Sequence, residues 1–266
     1  MNTIATGWRP QSGHVEAAVE DGVLLLTINR PDKKNAITGA MYTDLADGLD
    51  FADANDAVRA VLISGRGGSF TAGNDLADFL NNPSAAENPP GPRFIHRLRT
   101  LETPLVAAVS GHAVGIGSTL LLHCDFVFAD ETARFQFPFI KLALVQEAGA
   151  SLLLPQRAGR LLAAELLMLG EPFDAEVALT AGLVGEVVGE GDAYDSALAR
   201  ARHLAEKPAA ALRAMKRLLR QPDAEALQKI MDAELACFRE RLASAEAREV
   251  FTAFLEKRKP DFSKLV

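Results

Sequence analysis

The chain has 266 residues, of which 48% are hydrophobic and 24% are charged, and its formal net charge at pH 7 is −7. This composition is that of a globular protein and excludes disordered and collagen-like classes. The net acidity argues against a nucleic-acid partner. No apolar run reaches the roughly 18 residues of a membrane helix, and the two distant cysteines, Cys124 and Cys237, fit a reducing compartment. We therefore expect a cytoplasmic protein with no membrane or nucleic-acid partner.

Two short β-type runs open the chain. Residues 15–29 read VEAAVEDGVLLLTIN, and the Asp21-Gly22 dipeptide between the runs is typical of a tight hairpin turn. Thr38 precedes a stretch to about Asp53 with apolar residues at helical spacing, and residues 60–64 (AVLIS) are a short apolar run. The sequence predicts a β-hairpin, a helix and then a buried strand.

A second set of strands and helices follows a proline-rich segment. Residues 81–92 (NNPSAAENPPGP) are rich in residues that interrupt regular structure, which predicts a mobile surface loop. We then expect a helix from Arg93, a buried strand over residues 104–109, a helix that starts within residues 117–123, and a strand over residues 125–129. This alternation of strands and helices favours an α/β fold.

The last part of the chain is predicted to be helical. Helical stretches cover residues 192–206, 208–220 and 223–257, and the last of them is only weakly interrupted. Several apolar side chains here are too many for an isolated tail to leave in water, namely Leu235, Phe238, Phe251 and Phe254. We expect this region to pack on the core or on another subunit.

Two glycine-containing loops each follow a strand and precede a helix. Residues 70–76 read FTAGNDL, and residues 111–118 read GHAVGIGS. The start of a helix leaves backbone N–H groups unpaired, so two such loops can direct donors at one carbonyl oxygen, as an oxyanion hole requires. For either loop alone, the alternative is an ordinary strand-to-helix turn in which Asp75 caps the helix.

The spacing of these residues does not fit other glycine-rich or metal-binding motifs. A dinucleotide fingerprint would need a third glycine where Leu120 stands, and Gly111 is not followed by the Gly-Lys-Ser/Thr of a phosphate-binding loop. The run His123-Cys124-Asp125 contains metal-ligand types, but adjacent residues point in different directions and no second ligand group has suitable spacing. We expect this run to be structural and the protein to bind no metal.

Together, these segments resemble the enoyl-CoA hydratase/isomerase (crotonase) superfamily over nearly the whole chain. The two glycine loops are similar to the paired signature of that family. Residues 28–31 (INRP) with Asn35-Ala36 are similar to the loop whose backbone holds the adenine end of coenzyme A, and residues 173–188 and 254–258 also match. Several motifs in the family's order make a chance likeness improbable.

The resemblance implies an architecture as well as a substrate. The fold would be α/β, a crotonase-like spiral of ββα repeats with a C-terminal helical trimerisation region. Residues 1–200 would form the acyl-CoA-binding core and residues 201–266 the helical oligomerisation region. The partners implied are an acyl-CoA thioester substrate and further copies of the chain in a homotrimer or a dimer of trimers, with no cofactor beyond the coenzyme A of the substrate.

By position, the family's two oxyanion donors fall on the backbone N–H groups of Asn74 and Ile116. A backbone donor needs no particular side chain, so Ile116 in place of the family's glycine need not abolish the hole. The resemblance implies contacts with coenzyme A or the acyl chain from residues around these donors and in the adenine loop: Lys33, Lys34, Ala36, Ala72, Gly73, Asp75, Leu76, Val114 and Gly115. For Lys33 and Lys34, a solvated pair of loop side chains is the alternative.

The acidic residues depart from the family's hydratase pattern. Two positions that carry glutamate in its hydratases hold Thr119 and Phe139 here, and neither is an acid or a base. Glu147 is the lone carboxylate of an uncharged stretch that is similar to the base segment of the Δ3,Δ2-enoyl-CoA isomerase branch; a charge favoured at a helix N-terminus is the alternative. We also place Thr119, Phe139 and Leu144 beside the acyl chain, although Phe139 and Leu144 suit the core equally.

The prediction for function follows from one base and two donors. The two N–H groups would stabilise the enolate of a thioester, while Glu147 moves a proton from C2 to C4 and converts a 3-enoyl-CoA into the 2-enoyl-CoA. A carboxyl group among Leu, Val and Ala should have a raised pKa, which suits taking and giving a proton. The alternatives are a 2-enoyl-CoA hydratase that uses Glu147 alone and, from another class, a noncatalytic acyl-CoA-binding module.

Overall fold

Ten strands form two sheets in the computed structural model, which describes residues 3–4, 7–81, 89–256 and 258–264. In chain order the strands are β1 Thr3–Ile4, β2 Val15–Glu20, β3 Val23–Ile28, β4 Ala60–Gly65, β5 Leu105–Val109, β6 His112–Val114, β7 Phe126–Asp130, β8 Arg134–Gln136, β9 Phe173–Asp174 and β10 Glu186–Val188. Seven strands form the main sheet in the order β1-β2-β3-β4-β5-β7-β10, and β6, β8 and β9 form a small second sheet.

Eleven α-helices lie in the same described ranges. They are α1 Gly39–Ala54, α2 Leu76–Asn81, α3 Pro90–Thr100, α4 Ile116–Thr119, α5 Ala150–Ala158, α6 Arg160–Leu169, α7 Ala175–Thr180, α8 Ala193–Ala205, α9 Ala209–Arg220, α10 Ala224–Leu242 and α11 Ala245–Leu255. Short 3-10 helices occur at Pro31–Lys33, Leu120–His123, Pro138–Leu142, Gln221–Asp223 and Phe262–Lys264. No helix of the described chain is both long and apolar enough to cross a membrane.

The predicted hairpin is confirmed. Strands β2 and β3 pair antiparallel from Val15 opposite Ile28 to Glu20 opposite Val23. The two residues between them, Asp21 and Gly22, have φ values of 50° and 79°. A two-residue turn with both residues in the left-handed region matches the twist of the strands it joins, which explains the register.

From β3 onward the main sheet is parallel, and it is covered on both faces. Strands β3, β4, β5, β7 and β10 run parallel to one another. Because side chains alternate along a strand, Val61 and Ile63 enter the main core, whereas Leu62 packs with α8 on the opposite face. The predicted strands at residues 60–64, 104–109 and 125–129 agree with β4, β5 and β7 to within one residue at each end.

Helix α1 agrees with its prediction, whereas two later helices differ. The Thr38 hydroxyl accepts a hydrogen bond from the N–H of Met41 and caps α1. Helix α3 begins at Pro90 rather than Arg93, because proline is tolerated in the first turn, where its missing N–H has no intrahelical acceptor. Of the loop predicted at residues 81–92, residues 82–88 lie outside the described chain, Asn81 ends α2, and residues 90–92 belong to α3.

The predicted helix over residues 223–257 is divided into α10 and α11. The Ser244 hydroxyl accepts a hydrogen bond from the N–H of Ala247 at 3.1 Å. A serine that bonds the N–H three residues ahead starts a new helix, and this explains the break at residues 243–244. Lys257 lies outside the described residues.

The division expected between residues 200 and 201 falls inside α8. Ala197, Ala201 and Leu204 of this helix are buried in one cluster with side chains of the main sheet, so α8 belongs with the core. We therefore propose that the C-terminal helical region begins after α8. Helix α9 is fixed to the core by the ammonium group of Lys216, which lies 2.7 Å from Oδ2 of Asp125 and donates to the carbonyl oxygen of Thr103 at 2.7 Å.

Candidate active site

The two glycine loops lie side by side. The first connects β4 with α2, and the second lies between β5 and α4 and includes β6. Thr71 and Ala113 form a parallel bridge, in which the Thr71 N–H donates to the His112 carbonyl at 2.8 Å and the Val114 N–H donates to the Thr71 carbonyl at 3.0 Å. This backbone pairing sets the position of each loop relative to the other.

The approach of the two loops depends on glycine. Gly73 has a φ of 87°, and a Cβ atom at this position would lie 2.7 Å from the carbonyl oxygen of Val114. A Cβ atom on Gly117 would lie 2.6 Å from Cγ2 of Thr71. Both distances are shorter than van der Waals contact, so a side chain at either position would push the loops apart.

Asn74 and Ile116, the two expected donors, have free backbone N–H groups. Asn74 pairs with Ile37 as a parallel bridge in which the hydrogen bonds are made by Gly73 and Asp75, so the Asn74 N–H is directed away from Ile37. Ile116 is the first residue of α4, a position where the N–H has no intrahelical acceptor. Neither N–H has an acceptor within the described chain.

The segment expected to hold the adenine end of coenzyme A supports the first loop. The buried Asn35 amide donates to the carbonyl oxygens of Arg66 at 2.8 Å and Ser69 at 2.6 Å, and the Thr71 hydroxyl donates to the Asn35 carbonyl at 2.7 Å. Lys33 and Lys34 are exposed beside it, and Nζ of Lys34 lies 3.4 Å from Nε2 of His112. The two loops and this segment therefore form one hydrogen-bonded unit.

A cavity of about 590 Å³ opens beside the first loop. Its walls come from α1, the first loop, the start of α3, the turn before α5, and α10. Its polar lining includes Tyr42, Asn74, Glu147 and Glu234. Its apolar lining includes Ile37, Ile95, Met231, Leu235 and Phe238.

Glu147 lies at the start of a strained turn and faces this cavity. The next two residues, Ala148 and Gly149, have φ values of 60° and 75°, and alanine adopts this left-handed conformation only at a cost of roughly 1 to 2 kcal/mol. The side chain is partly accessible, but Oε1 of Glu147 is a buried acceptor without a donor among the described residues. Burial, with a further contribution from the charge of Glu234, raises the pKa of Glu147 to about 8.

The Glu147 carboxyl group does not cap helix α5 by a hydrogen bond in the described chain. Helix α5 starts at Ala150, and its first N–H groups are bonded from another helix: Glu234 of α10 accepts from the N–H of Gly149 at 2.6 Å and from the N–H of Ser151 at 2.8 Å. These N–H groups are therefore bonded to Glu234 and not to the carboxyl group of Glu147.

Tyr42 is hydrogen-bonded to the first loop and shares the cavity with Glu147. Its hydroxyl donates a hydrogen bond to Oδ1 of Asn74, and both side chains line the cavity with Glu147. Burial first, and then the charge of Glu147, raise the pKa of Tyr42 well above its usual value. Tyr42 is thus a neutral donor that orients the Asn74 side chain.

Asn74, Asp75 and Glu147 of the predicted site residues line the cavity. Asp75 also takes the role of its alternative, because Oδ1 accepts hydrogen bonds from the N–H groups of Ala77 and Asp78 at the start of α2. Its Oδ2 forms an ion pair with Arg30 at 2.6 Å, which holds the pKa of Asp75 below its usual value. Six other predicted residues belong to the two loops and one to the neighbouring Asn35-Ala36 segment, and none of the seven lines the cavity: Ala72, Gly73, Leu76, Val114, Gly115, Ile116 and Ala36.

Thr119, Phe139 and Leu144 lie in the interior of the protein, and contact with the acyl chain stays a prediction for them. Thr119 is fully buried, and Phe139 and Leu144 are buried in the main core; none of the three lines the cavity. Phe139 lies in the 3-10 helix Pro138–Leu142, and its carbonyl accepts from the Leu144 N–H at 2.9 Å. This tight turn directs both side chains into the core instead of toward Glu147.

The wall of the cavity that α10 contributes is not predicted from the sequence. Leu235 and Phe238 are predicted to be buried, but the surface that they cover, together with Met231 on the same face of the helix, is identified only by the structure. Tyr42 and Glu234 were not predicted as site residues. Tyr42 lies on a mainly apolar face of α1, where a tyrosine is expected to be part of the core. Glu234 is one of several acidic residues of α10, and the sequence does not show which of them is buried.

The run from His123 to Asp125 is structural, as expected. The His123 Nε2–H donates to the Ala148 carbonyl at 2.7 Å, Sγ of Cys124 contacts the Leu120 carbonyl at 3.7 Å, and Asp125 accepts from the Leu105 N–H at 2.8 Å. The three side chains thus have separate partners.

The fold and the site define a class of protein in which two glycine loops pair through their backbones, and the first of them lines a cavity of an α/β domain together with an enclosed carboxyl group. The family model described as Enoyl-CoA hydratase/isomerase matches residues 18–264. The chain is 37% identical to the 1,2-epoxyphenylacetyl-CoA isomerase of Escherichia coli (strain K12), over 92% of this chain and 96% of that protein. It is also 37% identical to the 2,3-dehydroadipyl-CoA hydratase of the same organism, over 90% of this chain and 94% of that protein.

A solved structure agrees with these relatives. The enoyl-CoA hydratase/isomerase from Pseudoalteromonas atlantica T6c superposes with a TM-score of 0.90 at 42% identity and covers 94% of this chain and 100% of its own. The chain belongs to the enoyl-CoA hydratase/isomerase family and is an enzyme of that family. The expected crotonase-like α/β fold with a C-terminal helical region is confirmed.

The contact between the two loops predicts the effect of a side chain at Gly73. We expect Gly73→Ala to lower kcat/KM on an enoyl-CoA thioester by roughly 100-fold, since displacing one oxyanion donor costs about 3 kcal/mol. Gly68→Ala is the matched control, because Gly68 also has a positive φ, 71°, but a Cβ atom there meets nothing within 4 Å. Steady-state kinetics that show equal losses in both variants would contradict this account.

Proposed function

We propose that this enzyme isomerises a 3-enoyl-CoA to the trans-2-enoyl-CoA, with Glu147 as the only base. The observation that carries the proposal concerns the five acidic residues that line the cavity in the described chain. Four of them accept hydrogen bonds from protein groups, whereas the Glu147 carboxyl group accepts none. Each of the four accepts from at least one donor: Asp75 from Arg30, Asp78 from Gly39, Asp232 from Gln228, and Glu234 from Gly149 and Ser151.

The proposed reaction moves one proton and leaves the composition of the substrate unchanged. The carboxylate of Glu147 takes a proton from C2, so the C2–H bond breaks, an O–H bond forms, and the electron pair moves onto the thioester oxygen. The backbone N–H groups of Asn74 and Ile116 stabilise that oxygen as an enolate. Glu147 then returns the proton at C4 while the C2–C3 double bond forms. A pKa of about 8 for Glu147 lets it serve in both steps near neutral pH.

The names of the two relatives do not decide between isomerisation and hydration, because an isomerase and a hydratase are equally identical to this chain. The side chains favour isomerisation. Hydration needs an attacking water and a group that handles its proton, and the two positions that carry glutamates in hydratases of the family hold Thr119 and Phe139, which do not line the cavity. A proton shift between two carbons needs one carboxyl group only.

The proposed proton shift requires no redox group and no metal, so no cofactor beyond the coenzyme A of the substrate enters it. The free thiols of Cys124 and Cys237 support the proposal that the enzyme acts in the cytoplasm.

We also propose that the chain forms a homotrimer or a dimer of trimers. Large apolar side chains are exposed on two helices, a pattern that supports subunit contacts: Leu161, Met168 and Leu169 on α6, and Leu218 and Leu219 on α9. Light scattering should give three or six times the chain mass of 28.5 kDa. A mass of one chain at micromolar concentration would exclude this assembly.

A paired assay tests the proposed reaction. Purified enzyme is supplied with a 3-enoyl-CoA in one cuvette and a 2-enoyl-CoA in another, and the absorbance of the conjugated thioester is followed. We expect absorbance to appear in the first cuvette, and Glu147→Gln to slow this by roughly 1,000-fold, since a positioned general base contributes about 10²- to 10⁴-fold. The matched control is Glu240→Gln, an exposed acid on α10 outside the cavity lining.

Two outcomes of that assay would count against the proposal. Fading of the conjugated thioester in the second cuvette, with no signal in the first, would identify a hydratase. Full isomerase activity in Glu147→Gln would show that another group is the base.

The raised pKa of Glu147 predicts how stability depends on pH. Because the folded protein holds this proton until about pH 8 while the unfolded chain releases it near pH 4.5, the carboxyl group destabilises the fold increasingly as pH rises between these values. At pH 7 the cost is up to about 3 kcal/mol, because one pKa unit corresponds to about 1.4 kcal/mol. Glu147→Gln should therefore melt higher than the wild type at pH 8 and equally at pH 4.

Thermal melts from pH 4 to pH 8 measure the difference in melting temperature between Glu147→Gln and the wild type. The control is Glu240→Gln, whose difference from the wild type should not depend on pH. The same ionisation should make kcat/KM rise with pH through about 8, because only the carboxylate accepts the C2 proton. A melting difference between Glu147→Gln and the wild type that is constant from pH 4 to pH 8 would contradict the assignment.

A further inference from the structure

Glu234 of α10 holds the turn that carries Glu147. Its Oε2 accepts from the Gly149 N–H at 2.6 Å, and its Oε1 accepts from the Ser151 N–H at 2.8 Å. The side chain is only 6% exposed, so these bonds are shielded from water and are strong. They connect residues that are 85 and 83 positions apart in the sequence, and they position the turn from the C-terminal helical region.

The opposite side of the turn is held by a neutral group. The His123 Nε2–H donates to the Ala148 carbonyl at 2.7 Å. Burial lowers the pKa of His123 to about 3, so this imidazole carries no charge near neutral pH. The turn is thus fixed between an uncharged donor and a carboxylate acceptor, and only the carboxylate influences the ionisation of Glu147 through charge.

Titratable groups face Glu147 from every wall of the cavity. They are Tyr42 from α1, Asp75 and Asp78 from the start of α2, His96 from α3, and Asp232, Glu234 and Arg239 from α10. Tyr42 is neutral and Asp75 is neutralised by Arg30. Asp232 and Arg239 are exposed to solvent, which screens their charges. Glu234 is the buried acid among them. Burial raises the pKa of Glu234 as well, and the hydrogen bonds from Ser151 and Gly149 act in the opposite direction and favour its carboxylate form.

We propose that Glu234 is a positioning residue for Glu147: through the N–H groups of Gly149 and Ser151 it fixes the turn, and its carboxylate opposes the ionisation of the base. The inference rests on the proposed role of Glu147 and extends it, because it makes α10 part of the catalytic apparatus. No atom of Glu234 needs to touch the substrate.

The two actions of Glu234 have different physical consequences. Fixing the turn holds the Glu147 carboxyl group within reach of C2 and C4, and misplacement by about 1 Å can cost roughly 100-fold in rate. Its negative charge in the same enclosed space favours the protonated form of Glu147. Burial is the larger cause of the raised pKa of Glu147, and the charge of Glu234 adds to it. A stronger base results at the pH where the enzyme acts.

Two substitutions separate these actions. Glu234→Gln removes the charge and leaves one acceptor oxygen for two N–H donors, whereas Glu234→Asp keeps the charge on a side chain shorter by one methylene. We expect Glu234→Gln to move the rise of kcat/KM to lower pH by roughly one unit and to lower kcat about tenfold with little change in KM. Glu234→Asp should lower kcat but keep the wild-type pH profile.

The control is Glu240→Gln, which removes a charge from the exposed face of the same helix and should leave kcat, KM and the pH profile unchanged. A purely structural role for Glu234 would lower the melting temperature of both Glu234 variants without moving the pH profile of either. A wild-type profile in Glu234→Gln overturns the proposal. If Glu234→Gln does not fold, wild-type kcat in Glu234→Asp overturns it.

A thermodynamic measurement distinguishes failure of this inference from failure of the proposed reaction. If the wild type does not act on a 3-enoyl-CoA, the proposed function fails, but the coupling of the two acids remains testable. The effect of Glu147→Gln on the melting temperature is measured as a function of pH in two proteins. The first is the wild type, and the second already carries Glu234→Gln. We expect the difference to become smaller at pH 8 when Glu234 is absent; equal curves would exclude the coupling.

Discussion

A carboxyl group enclosed without a hydrogen-bond partner is the constraint on which this site depends. An ionised carboxylate that leaves water loses far more free energy of solvation than nearby apolar groups return, and Oε1 of Glu147 is buried without a donor in the described chain. The fold therefore has to hold this group against its tendency to reach solvent. It does so with a turn that contains the left-handed Ala148 and that is bonded from both sides by His123 and Glu234.

The two glycine loops also leave polar groups unpaired, but these groups are hydrogen-bond donors, whereas the unpaired group of Glu147 is an acceptor. Backbone N–H groups in folded proteins are nearly always paired, yet those of Asn74 and Ile116 have no acceptor among the described residues. Other groups of this unit are paired: the Asn35 amide bonds two carbonyl oxygens, and the Thr71–Ala113 bridge joins the loops. A substrate carbonyl oxygen is the acceptor that the two free N–H groups lack.

Local signals in the sequence predicted the elements but not the far wall of the cavity. The Asp21-Gly22 hairpin and the helix after Thr38 follow from turn chemistry and capping, which act over a few residues. Resemblance placed the two loops and Glu147. For Phe139 and Leu144 the sequence left the core and the acyl chain as equal alternatives, because it does not show in which direction a side chain of the 3-10 turn points.

The limits of the prediction have a physical basis in α10. This helix carries Glu225, Glu234 and Glu240, and in the sequence these acids are equivalent charges on an amphipathic helix. Glu234 differs from the other two because it accepts hydrogen bonds from the N–H groups of Gly149 and Ser151, which lie more than 80 positions away in the sequence. Local periodicity identifies the buried face of a helix, but it does not reveal which N–H groups that face will meet.

The choice between reactions depends on how many carboxyl groups in the cavity can exchange a proton with a substrate. Glu234 has both oxygens occupied by backbone N–H groups, and losing either bond would release the turn that holds Glu147. Asp75 is bound to Arg30 and to the start of α2. A proton on either acid would weaken hydrogen bonds or an ion pair on which the structure depends, so neither acid is suited to carry a proton through a catalytic cycle. A site with one such carrier favours returning the same proton to the same substrate, which is an isomerisation.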